Sequence, residues 1–431
     1  MEEAQSEKAP TQRFLDKFEQ YYALGVICFT ALMILVPQLL FHVAFEPAFY
    51  RAMTVMVVAS PCALVISTPA TILSAIANGA RRGVLFKGGA HLERAAQIKV
   101  VAFDKTGTLT EGKPKVTDVT VISLPLPALA HWKGEENDVL ALAASVEAKS
   151  EHPLARAIVE TARHRGLPIH QATSFQATTG KGVIANVGGI EISVGSPRHF
   201  RDCLCIGLDD AMATVAQLQD EGKTSVLVGW LEREGGAEKA TAHILGVIAI
   251  ADTLRPDAAG VVRELKAMGV QHVVMLTGDN KRVARAIAKQ VGVDAHFAEL
   301  LPQDKVRILK RLQRMGPVAM VGDGVNDAPA LAIADLGIAM GAAGSDVALE
   351  TADVVLMADD LRHIPYAMAL SRHSRRVIIQ NISFACSVIV FLIIAALSRH
   401  LALPYGVVGH EGSTVLVCLN GLRLLVYRRG L

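Results

Sequence analysis

Three stretches of the sequence run for 21 residues or more without a single Asp, Glu, Lys or Arg: Tyr21–Phe45 for 25, Ala52–Ala80 for 29 and Val377–Leu397 for 21. A helix crossing the hydrocarbon core of a bilayer needs about 20 apolar residues, so each stretch predicts a membrane span. Leu401–Leu422 is a fourth candidate, 22 residues long with Glu411 its one formal charge. Hydrophobic residues make up 51% of the 431, and the mean hydropathy is +0.36, too apolar for an ordinary soluble chain. The residues before Tyr21 are charged, exceed a signal-peptide n-region in length and precede no small-residue cleavage site. Arg81, Arg82 and Lys87 follow the second span, Arg372, Arg375 and Arg376 precede the third, and Arg428 and Arg429 follow the fourth. The positive-inside rule predicts that these ends, and everything between spans two and three, face the cytoplasm. The expected layout is a cytoplasmic segment (1–20), two spans (21–80), a large body, and two further spans (371–431). That describes a multi-pass protein of the plasma (inner) membrane.

A formal net charge of +2 gives no support to a nucleic-acid partner. The six cysteines are scattered, four of them in apolar segments, so no disulfide framework is expected. Cys203-x-Cys205 is the one close pair; with no matching His or Cys pair nearby, a zinc or redox role there is the weaker reading. Between the spans, "IKVVAFD" (98–104), "HVVMLTGD" (272–279) and "PVAMVGDG" (317–324) each run apolar into Asp or Gly-Asp. Buried parallel strands whose carboxyl ends open onto a site have this form. Helical stretches lie between them, which predicts a doubly wound α/β body. Residues 119–244 interrupt it, with their own glycine turns and a helix near 151–166, and are expected to form an inserted α+β domain. The flanking parts, 81–118 and 245–370, complete the host domain.

Asp104 closes the first strand and opens "DKTGTLT" (104–110). A carboxylate at that edge suits in-line attack on phosphorus, although alone it reads equally as a turn aspartate. "MVGDGVNDAPAL" (320–331) supplies Asp323 and Asp327 across a glycine turn. Carboxylates that close repel unless a cation lies between them, and Mg²⁺ with phosphate oxygens fits. "LTGDN" (276–280) offers Thr277 and Gly278 as neutral phosphate donors, and Lys305 a positive charge for the transferring oxygens.

"DKTGTLT", "TGDN" and "GDGVNDAPAL", in this order, resemble the P-type ATPases within the haloacid-dehalogenase-like superfamily. The resemblance implies that Asp104 forms an aspartyl-phosphate, with Thr106, Asp323 and Asp327 around Mg²⁺. It implies that Thr277, Gly278 and Lys305 contact the phosphoryl group. Asp252 and Arg255 of "ADTLRPDA" would support nucleotide and phosphate, and Asp279 the nucleotide. Related phosphatases carry an Asp two positions after the nucleophile as general acid and base. That position here is Thr106, which cannot move protons near neutral pH, so the acyl-phosphate is expected to persist. In the insert, "VEAKSEHPLARAI" (146–158) and "TTGKGV" (178–183) resemble the heavy-metal branch, which implies that Glu147, His152, Gly180 and Gly182 hold the adenine and ribose of ATP. Taken alone, His152-Pro153 is a helix start and "TGKGV" any hairpin.

The second span contains "VVASPCALVIS" (57–67). Pro61 has no N–H and crowds the carbonyl of Val57, so the helix is expected to kink or unwind. Ser60 and Cys62 are two residues apart and point apart on a regular helix; unwinding could turn both toward one cavity. The last candidate span contains "VVGHEGSTVLVCLNGL" (407–422). His410 and Glu411 at membrane depth are costly and mark an ion path, unless they sit in an external loop with the span starting later. Thr414 would share a face with His410. Thiolate, imidazole and carboxylate together suit Zn²⁺, Co²⁺ or Cd²⁺ better than a hard cation.

"SPC" and "HEGST" resemble the cobalt/zinc-type heavy-metal pumps, which implies that Ser60, Cys62, His410, Glu411 and Thr414 bind the transported metal. Ser413 departs from the glycine more usual there. The resemblance covers the C-terminal two-thirds of such a pump, and no Thr-Gly-Glu loop of an actuator domain occurs in these residues. An actuator-containing N-terminal half is therefore an expected partner, and turnover by this chain alone an open question. Two other readings stand beside this one: a membrane-tethered phosphatase, which Thr106 disfavours, and a degenerate or split-pump fragment without turnover.

Overall fold

The computed structural model describes residues 9–122, 133–150, 152–178, 182–201, 204–232, 240–324, 327–341, 350–398 and 400–428. Its long helices are α1 (Pro10–Phe41), α2 (Phe45–Val58), α3 (Cys62–Arg81), α4 (His363–Leu397) and α5 (Leu403–Leu422). The strands, in chain order, are β1 (Val84–Phe86), β2 (Val100–Asp104), β3 (Thr110–Val121), β4 (Thr173–Thr178), β5 (Gly182–Val187), β6 (Ile190–Gly195) and β7 (Leu204–Ile206). They continue as β8 (Thr224–Glu232), β9 (Thr241–Leu254), β10 (His272–Leu276), β11 (Ala295–Phe297), β12 (Val318–Gly322), β13 (Leu336–Met340) and β14 (Val354–Leu356). Two compact units emerge: Met1–Ala102, Glu264–Gln271 and Val306–Leu431 form one, Phe103–Arg263 and His272–Lys305 the other.

In the first unit, three stretches among the described residues are long and apolar enough to cross a membrane: α1, Phe45–Arg81 and α4. The fourth expected span does form a helix, α5, but is not among them; His410, Glu411 and Asn420 dilute its apolar residues. Helix α1 begins at Pro10, well before the charge-free run, because proline suits a first helical turn. Leu24, Ile27, Leu32, Leu35 and Leu39 stay exposed on it, a face that lipid would solvate. The expected second span is two helices. Pro61 cannot donate, so the ladder stops: the Ala59 amide still reaches Val55 O at 2.9 Å, Ser60 N takes the Val57 carbonyl at 3.3 Å, and α3 starts anew at Cys62.

The sheet of this unit continues from α3. Strand β1 pairs antiparallel with β14, Leu85 opposite Val355. Parallel pairs follow, β14 with β13 and β13 with β12, and β2 lies next to β12. Strands β12 and β13 are buried on both faces, as their unbroken apolar runs require. Gly83, at φ 77°, makes the turn from α3 into β1, and its carbonyl accepts from Met357 N at 2.7 Å.

In the second unit the end of β2 adjoins β10, which pairs in parallel with β11. Helix Lys281–Val291 follows β10; Asn280 caps it, its side chain accepting from Arg282 N and Val283 N, and Gly292 ends it at φ 81°. A separate antiparallel sheet runs β3-β9-β8-β6-β5-β4, with β7 beside β9. Its two faces bury different residues. Leu140 and Ile158, from helices Glu136–Glu147 and Pro153–His164, pack with Ile192, Val228 and Ile248. Val215, from helix Leu208–Asp220, packs with Leu227, Ile244 and Val247 on the other side. The fold class is thus the expected one: apolar helices, a doubly wound α/β body and an α+β insert.

Candidate functional site

In the second unit, Asp104 ends a strand whose five residues are all buried, which is why its carboxylate emerges where the backbone leaves the sheet. It is 5% exposed, and its Oδ1 accepts from Lys305 Nζ at 2.6 Å. A buried carboxylate matched with a buried ammonium is held in one orientation, because neither charge tolerates losing the other. The loop after Asp104 turns at Gly107, φ 72°, and leaves Thr106 exposed. Arg255 braces that loop, Nε donating to Thr108 O at 2.8 Å and its guanidinium reaching Gly107 O at 3.3 Å. Asp252 braces it from the other side, accepting from Thr110 Oγ1 and from Lys113 N at 3.0 Å. Both were expected to support nucleotide and phosphate; among the described contacts they hold the backbone around Asp104.

Thr277 is 2% exposed and its Oγ1 accepts from Asp279 N at 3.1 Å. The carboxylate of Asp279 takes Lys105 Nζ, a half-buried pair the sequence did not point to, because a lysine beside a nucleophile looks like a solvated charge. Gly278 passes close to the loop after β11: a Cβ there would lie 3.4 Å from Leu300 O. Asp104, Lys305, Thr277, Gly278, Asp279, Asp252 and Arg255 all belong to this unit.

Also in this unit, Glu147 ends a helix with its side chain buried, 8% exposed, and its Oε2 has no hydrogen-bond partner. Burial pushes its carboxyl up to about 6, against a weaker downward pull from Ser150. A buried acceptor left without a donor is uncommon in folded proteins. His152 is exposed, and its Nδ1 accepts from Leu154 N at 3.2 Å, so it caps its helix as the plainer reading had it. Gly182 has a packing reason: a Cβ would fall 2.5 Å from Val194 O, where β5 meets β6. Gly180 lies outside the described residues, as does Cys203.

In the first unit, Asp323 follows β12 and is half-buried, and Asp327 is fully buried. Gly322 is there because a Cβ would lie 2.8 Å from Asp327 Oδ2, and Gly324 turns at φ 79°. Unwinding before α3 brings Ser60 Oγ within 3.0 Å of Cys62 Sγ, where a regular helix would part them. His410 and Glu411 lie inside α5, not in a loop. His410 is 2% exposed and neither ring nitrogen has a hydrogen-bond partner. Its carbonyl accepts from Ser413 Oγ at 2.7 Å and from Thr414 Oγ1 at 3.3 Å. Glu411 turns outward, its side chain 62% exposed and 3.9 Å from His410 Nε2. Among the described residues no cluster of three or more His, Cys, Asp or Glu forms, so the expected ligand set is not gathered into one cage. Where α5 runs is still clear: Gly406 abuts Val58, and Val417 shares a cluster with Ala63 and Leu64. His410, between them on α5, therefore lies level with the Ser60–Pro61 break.

A family model described as haloacid dehalogenase-like hydrolase matches residues 98–335. A protein described as a probable cadmium-transporting ATPase of Alkalihalophilus pseudofirmus is 44% identical over 429 residues, which is 99% of this chain and 57% of that protein. A probable cobalt/nickel-exporting P-type ATPase of Mycobacterium bovis is 44% identical over 427 residues, 99% of this chain and 61% of its own length. The crystal structure of a zinc-transporting PIB-type ATPase in the E2·Pi state superposes with a TM-score of 0.77 at 41% identity, over 98% of this chain and 66% of that one. The chain thus spans less than two thirds of the length of these relatives.

Proposed function

The chain belongs to the haloacid-dehalogenase-like hydrolases and is similar over nearly its whole length to the heavy-metal P-type ATPases among them, and from that premise we propose that it is the phosphorylated, metal-carrying part of an ATP-driven exporter of a divalent heavy-metal cation. The observation that carries the reading is Asp104, buried at a strand end with Lys305 Nζ 2.6 Å from its carboxylate. A carboxylate oxygen of Asp104 attacks the γ-phosphorus of ATP, the bond to the β,γ-bridging oxygen breaks, and ADP leaves with that electron pair. Lys305 orients the carboxylate and then balances charge on the transferring oxygens. Thr277 and Gly278 are assigned to neutral contacts with the phosphoryl group. Asp252 and Arg255 keep the Asp104 loop rigid through the contacts described above.

Mg²⁺ is assigned to the carboxylates of Asp323, half-buried just after β12, and Asp327, fully buried. When bound, the ion offsets phosphate charge; the resemblance adds Thr106 and Asp104 to that role. The unpartnered Oε2 of Glu147 fits a donor on the nucleotide base, and residues 119–244 are assigned to nucleotide binding. Thr106 stands where a phosphatase has its acid–base and cannot activate water near neutral pH, so the acyl-phosphate lasts long enough to drive a conformational change. The transported ion is assigned to Cys62 and Ser60 at the α2–α3 break and to His410 and Thr414 on α5, with Glu411 at the margin. Unpartnered imidazole nitrogens at that depth favour Zn²⁺, Co²⁺ or Cd²⁺. The body between the spans is assigned to the cytoplasm of a plasma-membrane pump.

Transport tests this reading: metal uptake into inside-out vesicles, driven by ATP, with an actuator-bearing part co-expressed. Accumulation of Zn²⁺, Co²⁺ or Cd²⁺ that is lost in Cys62→Ala and in His410→Ala is expected. Equal uptake by these variants would refute the assigned ion path.

A further inference from the structure

We propose that Asn381 is a positioning residue that fixes the axial register of α3 against α5 and so sets Cys62 level with His410. The inference rests on the metal-export reading of those two helices. Asn381 sits in α4 and is 2% exposed. Its Nδ2 donates to Thr71 Oγ1 on α3 at 3.3 Å and to the Val417 carbonyl on α5 at 3.1 Å. Its Oδ1 accepts from Asn420 Nδ2 on α5 at 2.7 Å. Thr71 passes the relay on, donating to Ser67 O at 2.6 Å. One amide thereby joins three helices through both of its polar atoms.

Among the described residues the remaining contacts between α3 and α5 themselves are apolar or steric, and a second polar tie lies beyond the end of α5, where Asn78 Nδ2 on α3 donates to the Leu424 carbonyl and to the Tyr427 carbonyl at 2.9 Å. Val417 packs with Ala63 and Leu64, and Gly421 lies so close that a Cβ would be 2.6 Å from Thr71 Oγ1. Within lipid, apolar packing gives little preference between neighbouring registers, while small residues and side-chain hydrogen bonds do. Thr71 lies about 13 Å beyond Cys62, and Asn420 about 15 Å beyond His410, at 1.5 Å per residue. The clamp is thus at nearly the same distance from both proposed ligands, on the same side of them. A one-residue slip would displace His410 by about 1.5 Å along its axis and turn it about 100° away from Cys62.

The test uses the full chain in detergent, with Zn²⁺ as probe against a chromophoric chelator and nucleotide affinity measured on the same samples. Asn381→Leu is expected to weaken Zn²⁺ binding about tenfold, the size of a few membrane hydrogen bonds. Thr71→Val and Asn420→Leu remove one arm each and should weaken it severalfold, while Thr71→Ser keeps the hydroxyl and should bind as the unaltered chain does. Nucleotide affinity should not move in any of them. A merely structural role would lower melting temperature but leave Zn²⁺ affinity of the folded fraction unchanged; that result in Asn381→Leu and Thr71→Val overturns the proposal. If the unaltered chain binds no Zn²⁺ that depends on Cys62 and His410, the export reading itself fails, and this inference with it.

Discussion

Glu147→Gln should stabilise the second unit at neutral pH and not at acid pH, while weakening its hold on nucleotide. The carboxyl is pushed from an ordinary 4.5 to about 6, burial being the main cause. At about 1.4 kcal/mol per pH unit, that difference is worth about 2 kcal/mol. The sign follows from the direction. The folded state binds this proton more tightly than the unfolded chain does, so its contribution is fully present below 4.5 and is lost as the pH rises through about 6. Above that, the buried carboxylate weighs against the fold. With 8% exposure, solvent screens little of this. Glutamine removes the charge, so at pH 7.5 the variant should melt about 4–8 °C higher, and at pH 4.5 no higher. Trp230 lies on β8 of the second unit, so tryptophan fluorescence is sensitive to its unfolding. ATP affinity should fall about tenfold, since a neutral amide accepts a hydrogen bond less strongly than a carboxylate. A stability difference that is the same at both pH values would refute the reasoning.

Lys305→Met should cut phosphorylation of Asp104 by about a hundredfold, as loss of a charge-stabilising donor does, read as acid-stable label from γ-labelled ATP. Thr106→Asp places a carboxylate where related phosphatases keep theirs, and should shorten the phosphoenzyme lifetime about a hundredfold in a chase with unlabelled ATP. Gly182→Ala should cost about 1–3 kcal/mol by overpacking the β5–β6 pair, seen in the same fluorescence melts, with nucleotide affinity of the folded fraction retained.

Much of this was visible in the residues because the physics is local. A short β-rich apolar run such as Val100–Phe103 reads as a buried strand, which puts Asp104 at its edge. The charge-free runs can only be membrane or core helices, and Pro61 marks where one breaks. What stayed hidden depends on distant partners. Lys105 pairs with Asp279, 174 residues away, and nothing near either announces it. Asp252 and Arg255 were located by motif, yet their described contacts with the Asp104 loop arise from β9 lying beside β3. Whether His410 and Glu411 sat in a loop or a helix was open to composition, because two polar residues after a glycine permit both. The structure carries α5 through both, with Gly406 packed on Val58 one turn before them. The packing reason for Gly182 was hidden too, because it lies in Val194 on a neighbouring strand.

The central claim is that Asp104 becomes a long-lived acyl-phosphate under control of the metal in the membrane helices. The direct measurement is γ-labelled ATP given to the full chain, with and without Zn²⁺. The account predicts label that survives acid, is released by hydroxylamine, rises with Zn²⁺ and vanishes in Asp104→Asn. Label that persists in Asp104→Asn, or none at all with Zn²⁺ present, would contradict it.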